Sequence, residues 1–168
     1  MLIHGGSGGV GVMAVQLAAL RGATVVATAS PGRHDLLRDL GAIPVTYGAG
    51  LAGRVRAAAP GGIDVALDLA GTDEAMDTSL DLVADRDRIA SITAFARGPK
   101  EGIKLLGGGP GADPGTEIRD AARVELARLA DEKKLRVVVS RTFPLADVAD
   151  AHRLLMTGHS EGKIALIP

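Results

Sequence analysis

Residues 4–11 read His4-Gly5-Gly6-Ser7-Gly8-Gly9-Val10-Gly11. Gly6, Gly8 and Gly11 fit the spacing G-x-G-x-x-G. Before the loop, Leu2-Ile3-His4 has the character of a strand end. After it, Val12 to Arg21 is rich in Ala, Leu and Met and predicts a helix, stopped by Gly22 as a left-handed cap. A glycine loop between strand and helix has a physical purpose. One glycine makes the tight turn, one lets backbone approach a pyrophosphate, and one lets the helix pack close to the strand. The first helical amides and the positive end of the helix dipole then face the phosphates.

Working outward, strands and helices alternate. Thr24 to Thr28 is a β-branched run, apolar on both faces as buried parallel strands are. Ser30-Pro31 starts a helix that runs to Leu40 and ends at Gly41. A third strand is expected at Ile43 to Thr46, a helix at Leu51 to Ala58, a fourth strand at Ile63 to Leu69, a helix from a Thr72 cap to Val83, and a fifth strand at Arg88 to Thr93. This order predicts an α/β fold: a doubly wound parallel sheet of Rossmann type in three α/β/α layers. The second half is less regular. Phe95 to Gly115 is rich in Gly and Pro and reads as loop around one apolar piece, Ile103 to Leu106. Thr116 to Glu132 predicts an amphipathic helix with Ile118, Ala122, Leu126 and Leu129 on one face. A strand at Leu135 to Val139, a helix at Asp147 to Met156 and a last strand at Lys163 to Ile167 complete the chain.

Composition narrows the function. The 168 residues make one domain, 1–168, and 46% apolar content allows a buried core. A net charge of −1 and three aromatic residues, Tyr47, Phe95 and Phe143, argue against nucleic acid as a partner. No apolar run reaches the roughly 18 residues that span a membrane, and no signal peptide is visible, so a cytoplasmic location is expected. With no cysteine there is no thiolate metal site and no catalytic thiol. His34, His152 and His159 lack metal-ligand spacing, so no metal site is expected.

Other phosphate-loop chemistries fail on particular residues. Gly5, Gly9 and Gly11 also fit G-x-x-x-G-x-G, but that class needs Lys four residues after a Tyr, and Leu51 follows Tyr47 at that distance. A Walker loop needs Lys where Val12 stands. A dinucleotide site that selects the ribose 2′-hydroxyl places an acid after the second strand. Ala29, Ser30 and Pro31 occupy that zone, and the first acid in the chain is Asp35. The Ser30 hydroxyl and the Arg33 guanidinium would instead suit a 2′-phosphate, which favours NADP(H). The missing acid also disfavours a Rossmann-like methyltransferase. His4 reads as structural. Asp68 is either a ligand-facing group or a cap. Tyr47 either flanks the adenosine or packs on the surface. Thr93 ends the fifth strand, where a nicotinamide would lie.

The chain resembles the nucleotide-binding domain of the medium-chain dehydrogenase/reductases, in the zinc-independent quinone oxidoreductase-like branch. The resemblance covers nearly all of it. It is carried by Leu2 to Gly11, Leu40-Gly41-Ala42, Gly62 to Asp68, Phe143-Pro144-Leu145, Ala151-His152-Arg153 and Gly162-Lys163-Ile164. It implies an NADPH-dependent reductase that passes hydride to a quinone, enone or similar carbonyl compound. It places Gly6, Ser7, Gly8, Gly9, Val10 and Gly11 on the pyrophosphate, and Ser30, Arg33 and Tyr47 at the adenosine 2′-phosphate. It implies a homodimer paired edge to edge through Ile103 to Leu106. It also implies a preceding catalytic domain that these residues do not contain, so this chain alone is expected to be inactive, and no catalytic residue is assigned. A non-catalytic dinucleotide-binding module, acting as sensor or partner subunit, is the alternative.

Overall fold

A computed structural model describes residues 1–158 and 161–168. His159, one of the histidines weighed for metal spacing, lies outside the described residues. The first half follows the predicted alternation: β1 (Leu2–His4), α1 (Gly11–Leu20), β2 (Val25–Ala29), α2 (His34–Asp39), β3 (Ala42–Thr46), α3 (Leu51–Ala58), β4 (Ala66–Asp68), α4 (Asp73–Leu82) and β5 (Ile89–Ser91). A 3-10 turn, Pro31–Arg33, leads into α2. Thr72 caps α4, its Oγ1 accepting the Ala75 amide at 3.2 Å, and Asp73 and Glu74 sit in the first turn, where the helix dipole favours acids.

The main sheet is parallel in the order β3-β2-β1-β4-β5-β6, with β6 at Lys104–Leu105. The order reverses between β1 and β4, and a crevice opens at the carboxyl ends of strands at such a switch point. Every residue of β1 and β2 is buried. Alternating side chains feed two cores. Leu2 and Val26 join Val55, Met76 and Ile89 on one face, while Ile3, Val25 and Ala27 join Val12, Val15 and Leu37 on the other. This is the expected doubly wound Rossmann-type arrangement.

The second half departs from the prediction in three places. The strand expected at 135–139 is displaced: β7 is Val139–Pro144, and it pairs in parallel with β8 (Lys163–Ile167) in a separate two-stranded sheet. The cause is a side chain of α1. The Gln16 amide brackets Arg136, its Oε1 accepting the Arg136 amide at 2.7 Å and its Nε2 donating to the Arg136 carbonyl at 3.0 Å. Arg136 thus satisfies its backbone on Gln16 instead of on a ladder, while the Leu135 amide donates to the Leu129 carbonyl. Second, 95–115 is more ordered than a loop. It holds α5 (Gly98–Glu101) and β6, and Arg97 pairs with Glu101 of α5 and with Asp73 and Asp77 of α4. Asp113 covers part of the outer edge of β6, its amide donating to Leu105 and its carbonyl accepting from Gly107. A second copy pairing along Ile103 to Leu106 would therefore meet an edge partly occupied by the chain itself. Third, α6 (Thr116–Asp131) engages its apolar face unevenly. Leu129 is buried and Ala122 and Leu126 are half-buried, but Ile118 is 75% exposed. The last helix, α7 (Val148–Met156), packs beside β7 and β8. Among the described residues no helix is long and apolar enough to cross a membrane.

Two glycines give a stability test of opposite sign. A Cβ on Gly11 would stand 2.2 Å from the Gly5 carbonyl oxygen and 2.7 Å from Gly6 backbone, whereas a Cβ on Gly53, exposed inside α3, would meet nothing within 4 Å. Gly11→Ala is expected to cost about 2 kcal/mol or more by overpacking. Gly53→Ala is expected to gain about 0.5–1 kcal/mol by restricting the unfolded chain. Urea unfolding midpoints measure both, and a Gly11→Ala variant as stable as the wild type would refute the packing account.

Candidate functional site

The glycine loop is stitched to the end of β2. The Gly5 amide donates to Thr28 Oγ1 at 3.1 Å and the Gly6 amide to the Thr28 carbonyl at 2.9 Å. Gly5 supplies the left-handed turn, with φ +73°. The three motif glycines then divide their work. A Cβ on Gly6 would stand 2.8 Å from the Ala27 Cβ, and Gly11 has no room at all. Gly8 meets nothing closer than the Gly5 carbonyl at 3.4 Å, so its outer face stays open. Helix α1 begins with no side-chain cap and no acid in its first turn, which leaves its positive end uncompensated by its own residues.

Above this loop lies a cleft of about 580 Å³. Of the residues singled out by sequence, Ser7, Gly8, Ser30, Arg33 and Tyr47 line it. Gly6 and Gly11 lie beneath, closing the packing. Gly9 is covered by the carboxyl-terminal segment, since a Cβ there would stand 2.9 Å from the Gly162 carbonyl and 3.2 Å from Lys163 Cδ. Val10 precedes α1, half exposed. Thr93 is set apart. Its hydroxyl turns to the Asp68 carboxylate at 3.4 Å, and it does not line the cleft.

Asp68 is fully buried and fully engaged. Its Oδ1 accepts the amides of Ala70 and Gly71, each at 2.9 Å, and its Oδ2 accepts from Ser91 Oγ at 2.9 Å. It is a cap for the turn after β4. His4 is also structural. Its Nε2 lies 3.1 Å from Ser79 Oγ, and that hydroxyl gives its one proton to the Ala75 carbonyl at 2.9 Å. With that proton given to Ala75, Nε2 is the donor to Ser79 Oγ. Burial pushes the His4 pKa down to about 4, against the opposing pull of Asp68 and Glu74.

Three further residues shape the site, Glu74 and Glu161 through distant partners and Arg54 through near ones. Glu74 Oε2 accepts the Gly48 amide at 2.7 Å and lines the cleft. Arg54 grips the same turn through the carbonyls of Thr46, Gly48 and Ala49, and so sets the loop that carries Tyr47. Glu161 pairs with Arg33 across 128 positions of sequence. Thus the acid missing after β2 arrives from the far end of the chain.

The sequence profile of the zinc-binding dehydrogenases matches residues 40–166. The chain belongs to the zinc-binding dehydrogenase family. It is a nucleotide-binding domain of the medium-chain dehydrogenase/reductase kind. It is 34% identical to the spectinabilin polyketide synthase system protein NorB of Streptomyces orinoci, over 99% of this chain and 8% of that protein. It is 31% identical to a quinone oxidoreductase of Pseudomonas aeruginosa, over 100% of this chain and 56% of that one. Among solved structures, the Escherichia coli quinone oxidoreductase complexed with NADPH superposes with a TM-score of 0.78 at 25% identity, over 99% of this chain and 56% of that one. The chain thus spans a small part of the synthase protein and about half of the quinone oxidoreductases. Among the described residues the zinc of the family name finds no fitting donor set. The chain has no cysteine, and among the described residues no group of three His, Asp or Glu could hold a metal ion.

The buried neutral His4 gives this dehydrogenase domain a pH signature. An unfolded histidine has a pKa of about 6.5. Between that value and about 4 the unfolded chain binds the extra proton, so stability is complete above about pH 6.5 and falls as pH drops toward 4. The loss is expected to reach up to about 3 kcal/mol. His4→Gln should flatten the slope between pH 4.5 and 6.5 in urea titrations, and an unchanged slope would rule His4 out as its source.

Proposed function

We propose that this chain is the cofactor-binding domain of an NADPH-dependent oxidoreductase that passes hydride to a quinone, enone or similar carbonyl compound. One observation carries the cofactor reading: Gly8, Ser30 and Arg33 line one continuous cleft, with no acid in the turn after β2. The relative solved with NADPH supports it. The pyrophosphate would lie over the loop from Gly6 to Gly11, against the open end of α1. Ser30 and Arg33 would hold the 2′-phosphate, and Tyr47, exposed at the rim, would flank the adenosine. Bound there, the nicotinamide supplies the hydride, while the protein binds and orients it. His4 and Asp68 are neutral or fully hydrogen-bonded within the fold, so neither is assigned a proton-transfer step.

Titration by nucleotide fluorescence tests the reading. NADPH should bind more tightly than NADH, and Arg33→Ala should weaken NADPH by about tenfold or more, as expected for a lost charge-assisted hydrogen bond, with little change for NADH. Equal affinities in the wild type would overturn the 2′-phosphate assignment.

A further inference from the structure

Arg33 does not wait in solution for a phosphate. Its Nη1 donates to the Glu161 carboxylate, in a pair whose side chains are 34% and 27% exposed. Glu161 is placed there by the residue after it. The Gly162 amide donates to the Ser7 carbonyl at 3.0 Å, and Gly8 and Gly162 form a parallel bridge. Gly162 has φ +61°, and a Cβ on it would stand 2.3 Å from the Val138 carbonyl oxygen. The segment that carries Glu161 is therefore anchored to the glycine loop itself. Glu161 is not a surface acid that happens to lie near an arginine.

We propose that Glu161 is a specificity-determining residue, whose carboxylate occupies the Arg33 guanidinium that a cofactor 2′-phosphate would take. The inference rests on reading the cleft as the dinucleotide site. A guanidinium can satisfy two anions only if its donors are shared, and a phosphate brought to this one meets a carboxylate of the same sign. A 2′-phosphorylated nucleotide must displace Glu161 or tolerate it. A nucleotide with a bare 2′-hydroxyl brings no charge to the pair. Glu161 thus restrains the preference for NADPH that Arg33 and Ser30 create, and it supplies from the end of the chain the negative charge that the turn after β2 lacks.

The test measures NADPH and NADH dissociation constants for the wild type, Glu161→Gln and Glu161→Ala, at low and high salt, with folding followed by thermal melting. Both variants should tighten NADPH by about fivefold at low salt, the effect shrinking at high salt as screening weakens the repulsion. NADH should stay within about twofold. Unchanged or weaker NADPH binding overturns the proposal. So does an equal tightening of both nucleotides, which would be a general charge effect, or a selective weakening of NADH, which would make Glu161 an acceptor for the ribose hydroxyl. If neither nucleotide binds the wild type or the variants, the reading of the cleft fails and this inference with it.

Discussion

Helix α1 meets the loop that feeds it with no room for a methyl group, and much of the molecule hangs on that contact. Gly11 lies against Gly5 and Gly6, and Gly6 in turn lies against Ala27 of β2. With the helix so close, Val12 and Val15 reach the sheet and enter the core with Ile3 and Leu37. On the same helix, Gln16 reaches Arg136 and holds the second half of the chain to the first. The loop also anchors the carboxyl-terminal segment, through Ser7 and Gly8 to Gly162. A single close approach therefore sets the start of α1, the seat of the last segment and the floor of the cleft.

The polar groups near the cleft fall into two kinds. Those at the ends of the central strands are buried and spoken for: His4 is neutral on Ser79, and Asp68 closes the turn after β4 with Ser91 and Thr93 beside it. In a low-dielectric sheet end, a group left without such partners would cost stability. The charge at the cleft comes from the periphery: Arg33 and Glu74 line it, and Glu161 pairs with Arg33. These arrive on three separate elements, and the cleft's electrostatic character is a product of how those elements are brought together.

Much of the fold was legible because its signals are local. The glycine loop, the β-branched run of β2, the Thr72 cap and the Leu51–Ala58 helix each depend on residues within a few positions of one another, and each appears where the pattern places it. The misplacements share a different cause. The run 135–139 has the composition of a strand, but Gln16, 120 positions away, takes the backbone groups of Arg136. The face of α6 has helical period, yet Ile118 stays 75% exposed. The glycine-rich stretch after β5 hides α5 and β6. A Cβ on Gly98 would lie 2.7 Å from Leu105, so that glycine serves close packing and not looseness.

The amino-acid sequence by itself determined the strand–loop–helix unit, the doubly wound class and the absence of an acid after β2, because periodicity, glycine placement and side-chain chemistry act over a few residues. It also selected Ser7, Gly8, Ser30, Arg33 and Tyr47, which the fold brings to one cleft. Tertiary structure alone decided that Glu161 sits on Arg33, that Glu74 holds the turn bearing Tyr47, and that the Thr93 hydroxyl faces Asp68. Those pairings join positions far apart in the chain. They exist only once crossovers and packing have carried the residues to the same edge of the sheet, and no local pattern encodes that meeting.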